Sequence, residues 1–105
     1  MTFTIKTGDT SPALRVALKY DDCKAVNTTD ATVTFRMREY GGTVPVIDSA
    51  GVIVTIGGVV EYRWAEGDTD ASGSYEAEFE VTYADGTVET FPSSGYIPVE
   101  VTEAI

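Results

Sequence analysis

The chain has no histidine and a single cysteine, so any chemistry it performs must rest on its carboxylates. Without histidine there is no side chain that ordinarily titrates near neutrality, no histidine-containing triad and no imidazole metal ligand. Cys23 has no partner for an intrachain disulfide or a zinc–thiolate cluster. Its neighbours Asp21 and Asp22 are a poor setting for a nucleophilic thiolate, which needs a base or positive charge nearby, and Lys24 alone supplies any. Neither a Gly-x-Ser-x-Gly elbow nor a Gly-rich phosphate loop ending in Lys-Ser/Thr is present.

Two sets of acids remain. Glu76, Glu78 and Glu80 alternate with apolar residues and share one face of a strand-like segment. Glycoside hydrolysis needs two acids flanking a cleft, one of them desolvated, and a row on an open face provides neither. These acids read as a solvated face partly neutralised by Arg15, Lys19, Arg36 and Arg38 on neighbouring strands. Glu66, Asp68 and Asp70, with Gly67 between the first two, bring oxygens close together in a connection. Calcium takes six to eight oxygens, and the twelve-residue loop pattern ending in Glu is not met. The same side chains form turns by bonding backbone amides, which is the first reading, with a calcium site at Glu66, Asp68 and Asp70 as the second. No catalytic residue, cofactor-binding residue or metal ligand is assigned, no cofactor is expected, and the chain is not expected to be an enzyme.

Seventeen acidic residues against seven Lys and Arg give a formal net charge of -10. Phosphate-tracking surfaces need clustered positive charge, so neither nucleic acid nor an anionic membrane is an expected partner. The length of 105 residues suits one domain spanning 1–105. The densest apolar stretch, residues 52–60, is broken by Thr55, Gly57 and Gly58 and cannot form a membrane-spanning helix. The first residues show no basic start followed by an apolar block, so no secretory signal is expected, although a processed secreted chain would look the same.

Period-two alternation separated by turn signals recurs along the chain, and no helix-period segment appears. Strands are expected near 3–6, 13–20, 33–38, 52–56, 59–64, 75–83, 87–91 and 96–101, with a further short one at 44–47. In 13–20, Leu14, Val16, Leu18 and Tyr20 share the inner face; in 59–64, Val60, Tyr62 and Trp64 do so while Glu61 and Arg63 face out. Gly57-Gly58 and Asp85-Gly86 supply hairpin turns. Pro98 cannot donate to a ladder, which predicts an edge or bulged strand there. Tyr62, Trp64, Tyr75, Phe79 and Tyr83 fall on core faces, leaving Tyr40 and Tyr96 near turns, too scattered for a sugar-stacking platform.

Tyr75 follows Gly73 at the start of the cleanest alternating strand. In immunoglobulin-like sandwiches a tyrosine so placed bonds back to the preceding connection and pins the corner. The expected fold is all-β, an immunoglobulin-like antiparallel β-sandwich of about eight or nine strands without a disulfide. Ala77 stands where antibody-type domains carry the second bridge cysteine.

Several motifs follow one another in order: Gly8-Asp9-Thr10-x-Pro12, Ala31-Thr32-Val33-x-Phe35-Arg36-Met37-Arg38, and Gly58-Val59-x-x-Tyr62-x-Trp64. They continue with Gly67-Asp68-Thr69, Gly73-x-Tyr75-x-Ala77-Glu78-Phe79-x-Val81, Asp85-Gly86 and Thr90-Phe91-Pro92. This order resembles the immunoglobulin-like N-terminal domain of baseplate upper proteins of tailed bacteriophages. The resemblance implies a non-enzymatic virion structural protein of the tail, baseplate, neck or capsid surface, made in the bacterial cytoplasm. Its expected partners are other virion proteins, in symmetric multiple copies. The alternative expectation is a carbohydrate- or host-surface-binding module, assisted by calcium.

Overall fold

A computed structural model describes residues 2–20 and 22–105. Asp21, one of the acidic neighbours of Cys23, lies outside the described residues. Among them there are nine strands and no helix. In chain order these are β1 (Phe3–Lys6), β2 (Leu14–Ala17), β3 (Thr32–Glu39), β4 (Pro45–Ala50) and β5 (Val52–Thr55). They continue with β6 (Val59–Tyr62), β7 (Gly73–Thr82), β8 (Val88–Phe91) and β9 (Ile97–Thr102).

The ten-residue β7 organises the larger sheet. Along one side it pairs antiparallel with β3, from Thr32↔Thr82 to Glu39↔Tyr75. Along the other, its first half pairs with β9 and its second half with β8. β4 closes the sheet outside β3, and β1 runs parallel outside β9. The second sheet has the order β2-β6-β5. Gly58 turns β5 into β6 with φ +95°, and its N–H donates to Thr55 O at 3.3 Å. The 83–87 turn is held by Asp85, whose carboxylate accepts from the Thr87 N–H at 3.0 Å and the Thr87 hydroxyl at 2.6 Å. Those two bonds hold the Asp85 carboxyl below its ordinary pKa.

The strand period places the core between the sheets. Tyr75, Ala77, Phe79 and Val81 of β7 are buried, as are Val33, Phe35 and Met37 of β3. Phe35 is the hub: its ring stacks on Tyr62 at 4.3 Å, lies 5.1 Å from Phe79 and meets Trp64 edge-on at 5.9 Å. Burying a phenylalanine this fully is worth about 1.5–3 kcal/mol before any stacking geometry is counted. The Trp64 indole N–H finds the Pro12 carbonyl at 3.1 Å, so the ring is buried without an unsatisfied donor.

The corner forms as expected. The Tyr75 hydroxyl donates to the Ala71 carbonyl at 2.7 Å, four residues back, tying the 63–72 connection to the start of β7. Burial pushes the Tyr75 phenol above its ordinary pKa. Two sheets and this corner make the chain an immunoglobulin-like β-sandwich, without a disulfide. Cys23 is exposed, in a turn with φ +66°.

Three expectations about strands need correcting. Glu61 does not face solvent freely: it is 3% exposed, because Arg15 at 2.8 Å and Arg63 at 2.6 Å clamp its carboxylate and cover it with their stems. Tyr20 lies beyond the end of β2, 41% exposed, because β2 stops at Ala17 and continues only as the isolated Lys19↔Ala25 bridge. β9 is not an edge strand, since it lies between β1 and β7. The β1 ladder begins only at Phe3↔Val99, so Pro98 sits where one side of β9 is uncovered and a residue lacking an N–H is tolerated.

Candidate functional site

Because Phe35 and Met37 point into the core, Arg36 and Arg38 point out of the larger sheet, and β7 does the same with Ser74, Glu76, Glu78 and Glu80. The register sets Arg38 opposite Glu76, and the two side chains bond at 3.1 Å. Arg36 reaches diagonally to Glu80 at 2.8 Å and across to Asp48 on β4 at 3.3 Å. These bonds raise the pKa of both arginines, the bonds to Glu80 and Glu76 being the main causes. In the row of acids, Glu76 and Glu80 are thus neutralised from β3 alone, while Glu78 has no ion pair among the described residues. Arg15 and Lys19, also expected to serve it, belong to the other sheet's side, where Arg15 is held by Glu61.

Tyr40 and Tyr96 flank a concavity of this face. The Tyr40 N–H donates to Ser74 O at 2.9 Å, carrying the β3–β7 ladder one step past Glu39 and leaving the ring 76% exposed. Tyr96 enters from the other side of β7, just before β9 and after Gly95, whose φ is +73°. The Arg38 guanidinium lies 4.5 Å from the Tyr96 ring centre while bonded to Glu76, so one face of that ring is fixed. The Ser74 hydroxyl donates to Glu100 at 2.7 Å. Tyr40, Ser74, Glu76, Tyr96, Pro98 and Glu100 line an open groove of about 410 Å³. A further hollow of about 340 Å³ extends it past Tyr40 to Glu39 and Ser72.

The two tyrosines that looked scattered along the chain are therefore gathered at one groove. They stand far apart in sequence, and only the placement of β3 and β9 on opposite sides of β7 brings them together. A signal was present: Tyr40 continues the outward parity of Arg36 and Arg38, and Tyr96 shares the parity of Pro98 and Glu100. A smaller cleft of about 200 Å³, lined by Val16, Leu18, Phe91, Pro92 and Ile97, opens beside β2. Its lining is apolar apart from Lys19 and includes no carboxylate or thiol.

Asp68 builds the turn of the 63–72 connection, the first of its two expected roles. The Asp68 carboxylate accepts from the Tyr62 hydroxyl at 2.5 Å and from the Ala65 N–H at 2.8 Å, in a turn that Gly67 enters at φ +93°. Burial, then the bond to Asp68, push the Tyr62 phenol up. Among the described residues no group of three or more His, Cys, Asp or Glu is arranged to hold a metal ion.

No family model matches the chain, and no curated protein matches it. Its structure is similar to that of CopC from Methylosinus trichosporium OB3b, with a TM-score of 0.52 and 16% sequence identity. The superposition covers 99% of this chain and 86% of CopC. At that identity the likeness shows the fold alone.

The expected bacteriophage structural role is corrected by this finding. A whole-chain match leads to CopC, and nothing carries the assignment to a tail, baseplate, neck or capsid. The physical reason lies in the motifs that suggested it. Gly58, Tyr62, Trp64, Gly73, Tyr75 and Asp85-Gly86 build hairpins, core and corner, and a sandwich with those parts serves unrelated functions.

Proposed function

We propose that this chain is a non-catalytic recognition module that takes its ligand on the outer face of the larger sheet, in the groove between Tyr40 and Tyr96. The observation that carries this reading is the pairing of two accessible tyrosines with fixed polar groups. Arg38 is bonded to Glu76 and Ser74 to Glu100, so their positions are set before a ligand arrives. The groove offers ring faces, hydroxyls and carboxylates, which bind and orient but supply no nucleophile and no acid–base pair. The strong negative charge argues against polyanionic ligands.

The test is a nuclear magnetic resonance titration of the labelled protein with a small panel: a neutral dipeptide amide, an arginine dipeptide amide, a glutamate dipeptide amide and a methyl glycoside. Saturable shifts centred on the amides of Tyr40, Ser74, Tyr96 and Glu100, lost in Tyr96→Ala, are expected for at least one probe. Shifts centred on Val16, Leu18 and Ile97, or none at all, would refute the reading.

A further inference from the structure

Resting on that reading, we propose that the groove's ligand is an extended cationic peptide segment of a partner protein, with an arginine or lysine side chain seated on Tyr40 and facing Glu100. The argument starts from charge. The groove and the hollow beyond Tyr40 contain Glu39, Glu76 and Glu100 in their linings and no lysine or arginine. Glu76 is bonded to Arg38, which lines a separate hollow with Arg36, Glu78 and Tyr96. Glu39 and Glu100 have no cationic partner among the described residues. Glu100 is held by the Ser74 hydroxyl alone, with its carboxylate at the groove surface.

The aromatic chemistry points the same way. A guanidinium over a tyrosine face is attracted by the ring quadrupole, and this molecule already makes that contact once, Arg38 over Tyr96 at 4.5 Å. The Tyr40 ring, at 76% exposed, has no such cover. An incoming cation therefore meets a free ring face and, across Ser74, the unpaired Glu100 carboxylate, in the field of a chain of formal charge -10, while Glu39, opposite Tyr75, has the inward parity of β3. A neutral ligand would use the rings and leave the Glu100 carboxylate unanswered, and an anionic one would be repelled. The groove is an open channel on a sheet face and not a pit, so it suits a side chain carried on an extended backbone.

Fluorescence anisotropy with a labelled Gly-Ser-Arg-Gly-Arg-Ser-Gly peptide tests this, with the same peptide carrying glutamine for arginine as the neutral control. Glu89 is the charge control, since it pairs with Val81 at the far end of β7 from Ser74, roughly 23 Å away at about 3.3 Å per residue. Tyr40→Ala and Glu100→Gln are each expected to weaken the arginine peptide about tenfold, and Glu89→Gln to leave it unchanged. The neutral peptide is expected to bind at least about tenfold more weakly than the arginine peptide. Equal losses in Glu100→Gln and Glu89→Gln would mean diffuse attraction to an acidic protein and would overturn the proposal. Groove shifts produced by the methyl glycoside or neutral dipeptide, without preference for arginine, would overturn the cationic ligand while leaving the recognition groove standing. Absence of groove binding by every probe would remove both.

Discussion

Replacing Tyr75 by phenylalanine deletes one oxygen from the molecule and nothing from the core. The ring keeps its place between β7 and the second sheet; what disappears is the 2.7 Å bond to the Ala71 carbonyl. Tyr75 is 7% exposed, so its hydroxyl cannot trade that bond for bulk water, whereas Ala71 is exposed and its carbonyl can be rehydrated. The loss is that of a net hydrogen bond, with little added cost for a stranded acceptor: about 1–1.5 kcal/mol. For a domain of this size that lowers the melting temperature by roughly 4–10 °C. Urea melts of parent and Tyr75→Phe, followed by tryptophan fluorescence, should show a lower midpoint with an unchanged slope. The proton also matters at high pH. Burial raises the Tyr75 pKa in the folded state, so its stabilising share is complete below about pH 10, the unfolded value, and is lost as pH rises through the folded value. The variant should therefore lose less stability than the parent between about pH 9 and pH 11, a window set by roughly one unit either side of that value. A variant within about 0.3 kcal/mol of the parent would show that the corner is held by ring packing and not by the hydroxyl.

Two other substitutions probe separate parts of the argument. A Cβ added at Gly58 would lie 2.7 Å from Val26 O and 3.0 Å from Leu18 O at φ +95°, so Gly58→Ala should cost roughly 2–4 kcal/mol in a denaturant melt. Gly86→Ala, at a similar φ with open space around it, should cost only about 1 kcal/mol, and equal costs would remove the argument from close approach. The bonds from Arg63 and Arg15 lower the Glu61 pKa, so its share of stability is present above the unfolded value and is lost as pH falls through the folded one. Acid titration of Glu61→Gln should show a shallower fall in stability below about pH 4.5 than the parent, and superimposable acid limbs would rule out the clamp.

Much of the fold is legible in the sequence because a strand writes its burial directly into the order of its residues. The alternation of Tyr75, Ala77, Phe79 and Val81 with Glu76, Glu78 and Glu80 fixes which side of β7 is core, whatever its neighbours are. Tyr75 two residues after Gly73, and the Gly57-Gly58 and Asp85-Gly86 pairs, are local chemistry that needs no distant partner to be read. The lack of histidine and the lone cysteine remove imidazole and paired-thiol chemistry by composition alone.

Pairing partners are a different matter, because parity gives a face and not a neighbour. That Glu61 is buried depends on Arg15 arriving from β2. That Pro98 is tolerated in an interior strand depends on β1 beginning its ladder one residue later. The groove follows the same logic. Tyr40 and Tyr96 are visible in the sequence as outward residues near turns, but nothing local ties one to the other. Their meeting is decided by β3 and β9 flanking opposite sides of β7, a choice made by long-range packing of the apolar faces and carried outward by the rigid ladders between them.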